Sequence, residues 1–531
     1  MLSINVIREK INQFVTRQEE SKIPFVYYFL TFIFIVTLRN FFDTITDTTM
    51  SSPTRFSIGL STRVSEFSMM NIVSNSLWYL GLALLLILIL YFAANQKIIK
   101  VAKLVLPGFI VLLSVSFFDT LLSLGIGFDQ AYMLPGVHEN ILQRWITFSI
   151  PFSSYGVTPG MKIETFLVII SVFGYVFVKT SSILRSLISG FVVYSAVFFW
   201  GCMPFAIKGF VEFFNIEYVL TPTLIVNFTL LLILIFGTIA YHLYNKKYII
   251  SILKDMDPFR VLHYLLMFVI GISIGLYAKN GSFSLNNSNL FQFIFAPAAI
   301  VFAGIFALVI NGLADKKIDS ISNPQRSLID GTITVSHFIY IGIVSFFVAI
   351  LYSVVLGHVT LLVILLLMGN YFIYSAPPLR LKRVPLFSKF FISLNSLILI
   401  MLGYYYITGT TNVHYLTVVA FLGGFTVLIN FIDLKDYDGD KKEGIKTIPT
   451  LIGLKKSKIL FGAFFLIGFI SFGLFFENMI LLAIMIILGI IEFYLMMREP
   501  YQEKYVFGTY ILTLLIVIIF ILSQNVYVPI A

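Results

Sequence analysis

The sequence predicts an all-α, multi-pass membrane protein of about fifteen transmembrane helices, a six-helix bundle followed by a nine-helix one. Three observations lead there. Of the 531 residues, 59% are hydrophobic and only 12% charged, against about 25% charged in soluble globular chains. The apolar residues gather in runs close to the roughly 20 residues that cross a hydrocarbon core about 30 Å thick. The basic residues fall mostly on one side of the alternating topology those runs imply.

The runs of the first half lie near 25–44, 74–94, 101–125, 162–179, 186–206 and 217–243. Those of the second lie near 260–279, 289–311, 332–356, 359–375, 386–408, 413–432, 459–476, 478–496 and 505–524. With the N-terminus inside and one crossing per run, all but seven of the 36 Lys and Arg residues stand on the inner side. The exceptions are Arg39, Arg55, Arg63, Arg144, Lys162, Lys208 and Lys279. A missed span would invert every later loop, so the asymmetry supports the count. It also places the N-terminus in the cytoplasm and the C-terminus on the opposite side. The net charge of +10 is then orientation in a lipid bilayer, with no nucleic-acid partner implied. The lone cysteine, Cys202, excludes an intramolecular disulfide framework, and residues 1–22 carry no removable signal pattern. The halves part in the basic segment Tyr244–Phe259, giving a membrane domain at 1–245 and a second at 246–531.

Two acidic runs at inner span ends carry the chemistry. In Asn311-Gly-Leu-Ala-Asp315-Lys-Lys-Ile-Asp319, spacing of four and four predicts one helix face bearing Asn311, Asp315 and Asp319. In Asn430-Phe-Ile-Asp433-Leu-Lys-Asp436-Tyr-Asp-Gly-Asp440, spacing of three and four predicts the same for Asp433, Asp436 and Asp440. One such run is ordinarily a solvated helix end. Two at the same depth would repel unless something bridged them. Their oxygen donors suit Mg²⁺, which binds through one or two carboxylates plus substrate phosphates and waters. An anionic diphosphate is expected to enter across such cations, and the cations to stabilise it as it leaves.

Between the runs lies Tyr374-Ser-Ala-Pro-Pro-Leu-Arg380-Leu-Lys382-Arg383. The prolines end a span, and the basic residues beyond them either set orientation or bind phosphate, Arg in bidentate fashion.

Together these motifs resemble the UbiA superfamily of intramembrane prenyltransferases over about residues 250–531. The first family motif, N-D-x-x-D-x-x-x-D with a following Arg-Pro and Gly, is met by Asn311, Asp315, Asp319, Arg326 and Gly331. The loop Y-S-x-P-P-x-R-x-K-R is met by Tyr374, Ser375, Pro377, Pro378, Arg380, Lys382 and Arg383. The second motif, D-x-x-D-x-x-G-D-x-x-x-G-x-x-T-x-P, is met by Asp433, Asp436, Gly439, Asp440, Gly444, Thr447 and Pro449. It is similar to the branch holding geranylgeranylglyceryl phosphate geranylgeranyltransferases, chlorophyll synthases and homogentisate prenyltransferases.

The resemblance implies a nine-helix UbiA-type bundle with cytosolic active-site loops. It implies Mg²⁺-dependent transfer of a prenyl group, of geranylgeranyl type, from a polyprenyl diphosphate to a lipidic or aromatic acceptor, a lipid-biosynthetic reaction. Asn311, Asp315, Asp319, Asp433, Asp436 and Asp440 would hold metal. Arg326, Tyr374, Arg380, Lys382, Arg383, Lys435, Lys441 and Arg260 would contact the diphosphate. Two departures stand out: Gly312 replaces an aspartate of many members, and Ser327 replaces the proline after Arg326. A related terpene cyclase and a non-catalytic lipid carrier are the alternative readings.

An isoprenoid tail needs an apolar tunnel, and an aromatic face beside an allylic cation contributes about 0.5–2 kcal/mol. Tyr371, Asn395 and Asn430 are candidate cavity residues, because polar groups within a bilayer ordinarily face protein or water. Tyr404, Tyr405 and Tyr406 fall near an outer span end, where an interface role is expected. The six histidines, His138, His242, His263, His337, His358 and His414, show no paired zinc-ligand spacing. Residues 1–245 carry no motif that names a chemistry. Arg39, Asp43 and Asp119 either cluster within the membrane or sit as interfacial and structural groups, and the long outer segment Ile126–Met161 is rich in breakers. The region reads as an accessory bundle that anchors, delivers or receives lipid.

Overall fold

A computed structural model describes residues 4–46, 69–124, 128, 141–148, 157–213, 222–279, 289–384, 387–413, 415–435, 437–443 and 446–524. Helices are the regular elements among them, and fifteen are long and apolar enough to cross a membrane. Each overlaps one predicted run, so the chain is an integral, multi-pass membrane protein. Hydropathy missed some ends by a few residues because capping chemistry sets them. Thr158 accepts from the Met161 N–H ahead of Pro159, Thr334 from that of His337 and Asn478 from that of Leu481. Such side chains satisfy N–H groups that a helix start leaves open.

The chain divides into two compact units, Met1–Lys246 and Lys247–Ala531. The first opens with α1 (Ile4–Glu19), a polar helix short of a span, followed by α2 (Phe25–Thr46), α3 (Met69–Ala94), α4 (Ile98–Gly108) and α5 (Leu113–Leu122). It continues with α6 (Ile141–Thr147), α7 (Pro159–Thr180), α8 (Ile183–Gly201), α9 (Met203–Phe213) and α10 (Pro222–Tyr244). A 3₁₀ stretch, Phe109–Leu112, joins α4 to α5 just beyond Pro107, which removes a helical hydrogen bond there. Glu19 of α1 is buried and accepts from Lys179 Nζ (2.6 Å) and Tyr175 OH (3.0 Å) on α7, so α1 is tied to a span. Arg39 and Asp119 are both buried. Arg39 donates to Ser116 Oγ at 2.5 Å, and Asp119 accepts from the Gly160 N–H at 2.7 Å. The Asp43 side chain, and the expected outer segment apart from α6, residues 128 and 148 and the start of α7, lie outside the described residues.

The second unit comprises α11 (Lys246–Asp255), α12 (Pro258–Ala278), α13 (Gln292–Ala314), α14 (Lys316–Ser322), α15 (Val335–Leu356), α16 (His358–Ser375) and α17 (Phe387–Thr408). After these come α18 (Tyr415–Leu428), α19 (Tyr437–Glu443), α20 (Ile448–Ile452), α21 (Leu454–Phe475), α22 (Met479–Met497) and α23 (Glu503–Ser523). The tightest crossing joins α12 to α17. A Cβ on Gly271 would fall 2.0 Å from the Ile400 carbonyl oxygen, and one on Gly403 2.1 Å from that of Phe268. Only hydrogen fits at either point, the close backbone approach that small residues allow between membrane helices. His263 of α12 ties three helices together. Its Nε2 lies 3.0 Å from Ser396 Oγ on α17, and its Nδ1 3.1 Å from the Tyr510 hydroxyl on α23.

Candidate active site

The site begins where α13 ends. Asp315 leaves the helix at φ −102°, ψ 7°, and α14 restarts at Lys316. The expected unbroken face carrying Asn311, Asp315 and Asp319 is therefore interrupted. Backbone bonds from Asp315 N–H to Asn311 O (2.9 Å) and from Asp319 N–H to Asp315 O (2.8 Å) still hold the three a turn apart. The second run departs further from the expected α-helical face. Asp433 lies on a 3₁₀ stretch, Ile429–Leu434, and the chain is helical again only from Tyr437. Asp436 lies outside the described residues, as do the side chains of Asp440 and Arg383.

The loop after α16 folds onto the first run. Ser375 Oγ donates to Asn311 Oδ1 at 3.1 Å. Arg380, whose backbone is left-handed (φ 46°, ψ 54°), donates through Nη2 to Ala314 O at 3.0 Å and to Asp315 Oδ1 at 2.6 Å. A non-glycine residue in that region carries strain of about 1–3 kcal/mol, which persists only when its surroundings hold it; the two guanidinium bonds do so. Lys382 pairs with Asp315 Oδ2 and donates to Asn311 Oδ1 at 3.2 Å. Burial pulls the Lys382 ammonium below the usual lysine range, and the Asp315 carboxylate opposes that pull. Asp319, nearly fully buried, accepts from Arg326 Nη1 at 2.6 Å and from Asn323 Nδ2 at 3.0 Å.

The Asp433 carboxylate meets a residue that motif reasoning missed. Lys389, on the first turn of α17 and 5% exposed, donates to Asp433 Oδ1 at 2.5 Å. Its signal was available, since a lysine inside an apolar span is expensive unless paired. The Tyr374 phenol of α16 is within electrostatic reach of Lys389, Asp433, Arg260 and Asp315. Tyr371, one turn earlier, sets its ring edge to face with that of Tyr264 of α12, centroids 6.1 Å apart.

The other sequence candidates have partners of their own. Lys435 pairs with Glu503 at 2.7 Å, and exposed Lys441 lies over the Tyr437 ring; among the described residues neither is paired with a motif carboxylate. Arg260 is half-exposed and pairs with Asp257 at 3.4 Å. Asn430 turns back on its own helix, donating to Thr426 O (2.6 Å) and Val427 O (3.1 Å). Asn395 is buried and accepts from Asn370 Nδ2 at 2.9 Å. Tyr406 is interior and not interfacial: its hydroxyl lies 2.7 Å from Thr360 Oγ1, and its ring packs against Phe268.

Both departures from the motif have local causes. A Cβ on Gly312 would meet Phe338 Cε1 at 3.0 Å, with Leu328 Cδ2 at 3.9 Å. Position 312 therefore faces the apolar cluster of Ile252, Met256, Val309, Leu328, Ile333 and Phe338, where a carboxylate would be buried without a partner. Ser327 uses the N–H that a proline lacks. That N–H donates to Asp255 Oδ2 at 3.1 Å and the hydroxyl donates to the same oxygen, fastening the loop to α11.

The carboxylates do not stand uncompensated. Asp315, Asp319 and Asp433 are paired with Arg380, Lys382, Arg326 and Lys389. Among the described residues no group of three or more His, Cys, Asp or Glu is arranged as a metal cage. Mg²⁺ does not need one, because it shares its shell among one or two carboxylates, phosphates and waters. The all-oxygen donors Asn311, Asp315, Asp319 and Asp433 fit that requirement.

Fold and site define a multi-pass membrane protein with a polar, charge-paired centre at the ends of its helices. Residues 276–506 match the UbiA prenyltransferase family, and this segment is a UbiA-family domain. Digeranylgeranylglyceryl phosphate synthase of Pyrococcus horikoshii is 30% identical over 30% of this chain and 57% of its own length. The Sulfurisphaera tokodaii protein of that name is 27% identical over 38% and 78%. The probable homogentisate phytyltransferase 2 of Oryza sativa is 27% identical over 32% and 48%. The alignments thus span between about half and four-fifths of these relatives. A UbiA homolog from Archaeoglobus fulgidus, bound to GPP and Mg2+, superposes with a TM-score of 0.41 at 19% identity, covering 52% of this chain and all of that one.

Proposed function

We propose that the second unit is a Mg²⁺-dependent prenyltransferase that moves a geranylgeranyl-type group from its diphosphate to a lipidic or aromatic acceptor. The observation that carries this reading is the network joining Asn311, Asp315, Ser375, Arg380 and Lys382, set beside the Lys389–Asp433 pair around Tyr374. Such an array offers hydrogen-bond donors for phosphate oxygens together with hard oxygen donors for metal. The names of the sequence relatives supply the donor and acceptor classes.

In this reading Asn311, Asp315, Asp319 and Asp433, with Asp436 and Asp440, hold Mg²⁺. The bound metal adds positive charge at the departing diphosphate. Arg326, Arg380 and Lys382 turn from their carboxylates toward phosphate oxygens as donor and metal enter. The C1–O bond then breaks with both electrons leaving on diphosphate. The acceptor's hydroxyl or ring carbon bonds to C1 of the allylic cation and gives up its proton. Tyr371 and Tyr264 present aromatic surface beside that cation. The positive-inside count puts the N-terminus and these loops in the cytoplasm and the C-terminus opposite. The six-span region 1–245 is then an accessory membrane domain.

The test is diphosphate release by the full chain in nanodiscs. Geranylgeranyl diphosphate and Mg²⁺ are supplied with and without glycerol-phosphate and aromatic acceptors. Release that needs one acceptor and is lost in Asp315→Ala is expected. Release without any acceptor would instead identify a cyclase, and retained lipid binding with no release in any mixture would identify a carrier.

A further inference from the structure

We propose that Lys389 is a built-in cation for the donor diphosphate, doing at the second carboxylate run part of what a metal ion would otherwise do. This rests on the prenyltransferase reading and goes beyond it, since no motif discussed above includes position 389.

The argument starts from cost. An ammonium within an apolar span loses its hydration, and it is retained where a partner or a function compensates. Lys389 is 5% exposed, and its neighbours Ser388 and Ser393 on α17 are also buried. Among the described residues its ionic partner is Asp433, at 2.5 Å. The same carboxylate is the first acidic residue of the second run. As a purely structural ion pair this would bring little, because two desolvated charges roughly offset their own attraction. Asp433 also sits on a 3₁₀ stretch and not on the regular helix, so the pair does not brace a continuous span.

Its location gives it a use. Lys389 and Asp433 both interact with the Tyr374 phenol, as does Asp315 of the first run. Tyr374 thus marks a point within electrostatic reach of both runs, where a diphosphate bridging them would lie. Lys389 carries its charge to that point from the α17 side, while Arg380 and Lys382 approach from the loop after α16. The three carboxylates Asp315, Asp319 and Asp433 are matched by Arg326, Arg380, Lys382 and Lys389. Each of these three carboxylates therefore already has a cation bonded to it without any metal, before Asp436 and Asp440, whose side chains lie outside the described residues, are counted. Lys389 is the cation bonded to Asp433 of the second run, and a trianionic diphosphate bridging the runs would meet it there. Affinity for the donor should then have a metal-independent part, and Lys389 should account for much of it.

Binding of geranylgeranyl diphosphate to the full chain in nanodiscs, measured in EDTA and in Mg²⁺, tests this. Geranylgeraniol serves as the probe for apolar binding alone. Wild type should bind the diphosphate in EDTA well above geranylgeraniol. Lys389→Gln should lose about 10-fold or more of that metal-free affinity, the loss of one charge-assisted phosphate contact. The loss in Mg²⁺ should be smaller, geranylgeraniol binding should be unchanged, and Lys389→Arg should retain metal-free binding. The double variant Lys389→Gln/Asp433→Asn removes any uncompensated buried charge and should show the same metal-free loss if folding of the single variant is impaired. Equal metal-free affinity in wild type and both glutamine variants would overturn the proposal, as would wild type binding the diphosphate in Mg²⁺ but no better than geranylgeraniol in EDTA. Absence of diphosphate binding even with Mg²⁺ would instead sink the prenyltransferase reading itself.

Discussion

The guanidinium of Arg380 stands 2.6 Å from Asp315 Oδ1 and 3.0 Å from the Ala314 carbonyl oxygen, so one side chain both closes the end of α13 and pairs with Asp315 of the first acidic run. Lysine carries the charge without the planar, fixed set of donors that can meet a phosphate in bidentate fashion. Arg380→Lys should therefore lower prenyl transfer by about 10- to 100-fold, in the range seen for loss of one oriented donor. The rate of diphosphate release at saturating donor is the readout, and an unchanged rate would remove Arg380 from the site.

Gly312→Asp should not improve the enzyme by restoring the aspartate found in many relatives. The new side chain would start 3.0 Å from the Phe338 ring and project into an apolar cluster. Burying a carboxyl without a partner costs several kcal/mol. The expected result is a lower unfolding temperature in detergent, with no gain in Mg²⁺ affinity. A tighter Mg²⁺ response at unchanged stability would mean that position 312 reaches the carboxylates.

Ser327→Pro should loosen the loop that carries Arg326. It removes both bonds to Asp255 and leaves that carboxylate short of donors, a loss of about 1–3 kcal/mol for the unsatisfied partner. Faster proteolysis between α14 and α15 in the variant would report it, and Ser327→Thr, which keeps both donors, should resemble wild type.

Lys382 makes the site sensitive to alkaline pH. Burial lowers its pKa, so the folded chain releases this proton before an unfolded one does. In the window between the two values the unfolded state holds more protons, and stability gains from rising pH. Donor affinity moves the other way, falling as the ammonium that faces Asn311 and Asp315 becomes neutral. Titrating donor binding upward from neutral pH should show this fall below 10.5, the ordinary lysine value. Lys382→Arg, which stays charged, should flatten the profile.

Gly403→Leu should prevent the second unit from assembling. A Cβ there would fall 2.1 Å from the Phe268 carbonyl oxygen on the facing helix, so α12 and α17 would have to separate along their closest stretch. The same separation would break the bond of His263 to Ser396. Loss of the monodisperse species on gel filtration is expected, and a well-folded Gly403→Leu protein would contradict the crossing.

Spans were legible because hydropathy over about 20 residues is a local property of the chain, and all fifteen runs became helices. The motif residues were legible as types at fixed spacing, which let Asp315, Arg380 and Lys382 be named before any contact was known. Their local geometry was not legible. Spacing of four suggested one helix through Asn311 and Asp319, but a single residue, Asp315, turns out of it. Nothing local distinguished Asn430, which bonds its own turn, from Asn395, which meets Asn370 on another helix. Tyr406 looked interfacial from its place in the span and became interior through Thr360 and Phe268.

The sequence by itself therefore determined fifteen runs long and apolar enough to cross a membrane, and it placed two acidic runs and a basic loop at the ends of three of them. Hydrophobic length and residue spacing are written along the chain and need no partner to be read. The tertiary structure alone decided which charge answers which. Lys389 lies 44 residues from Asp433 in sequence and 2.5 Å from it in space, because α17 and the turn after α18 pack side by side. Gly312 became a packing residue because Phe338 arrived against it from α15. Compensation of buried charge depends on distances between helices, and those distances are set only when the helices pack.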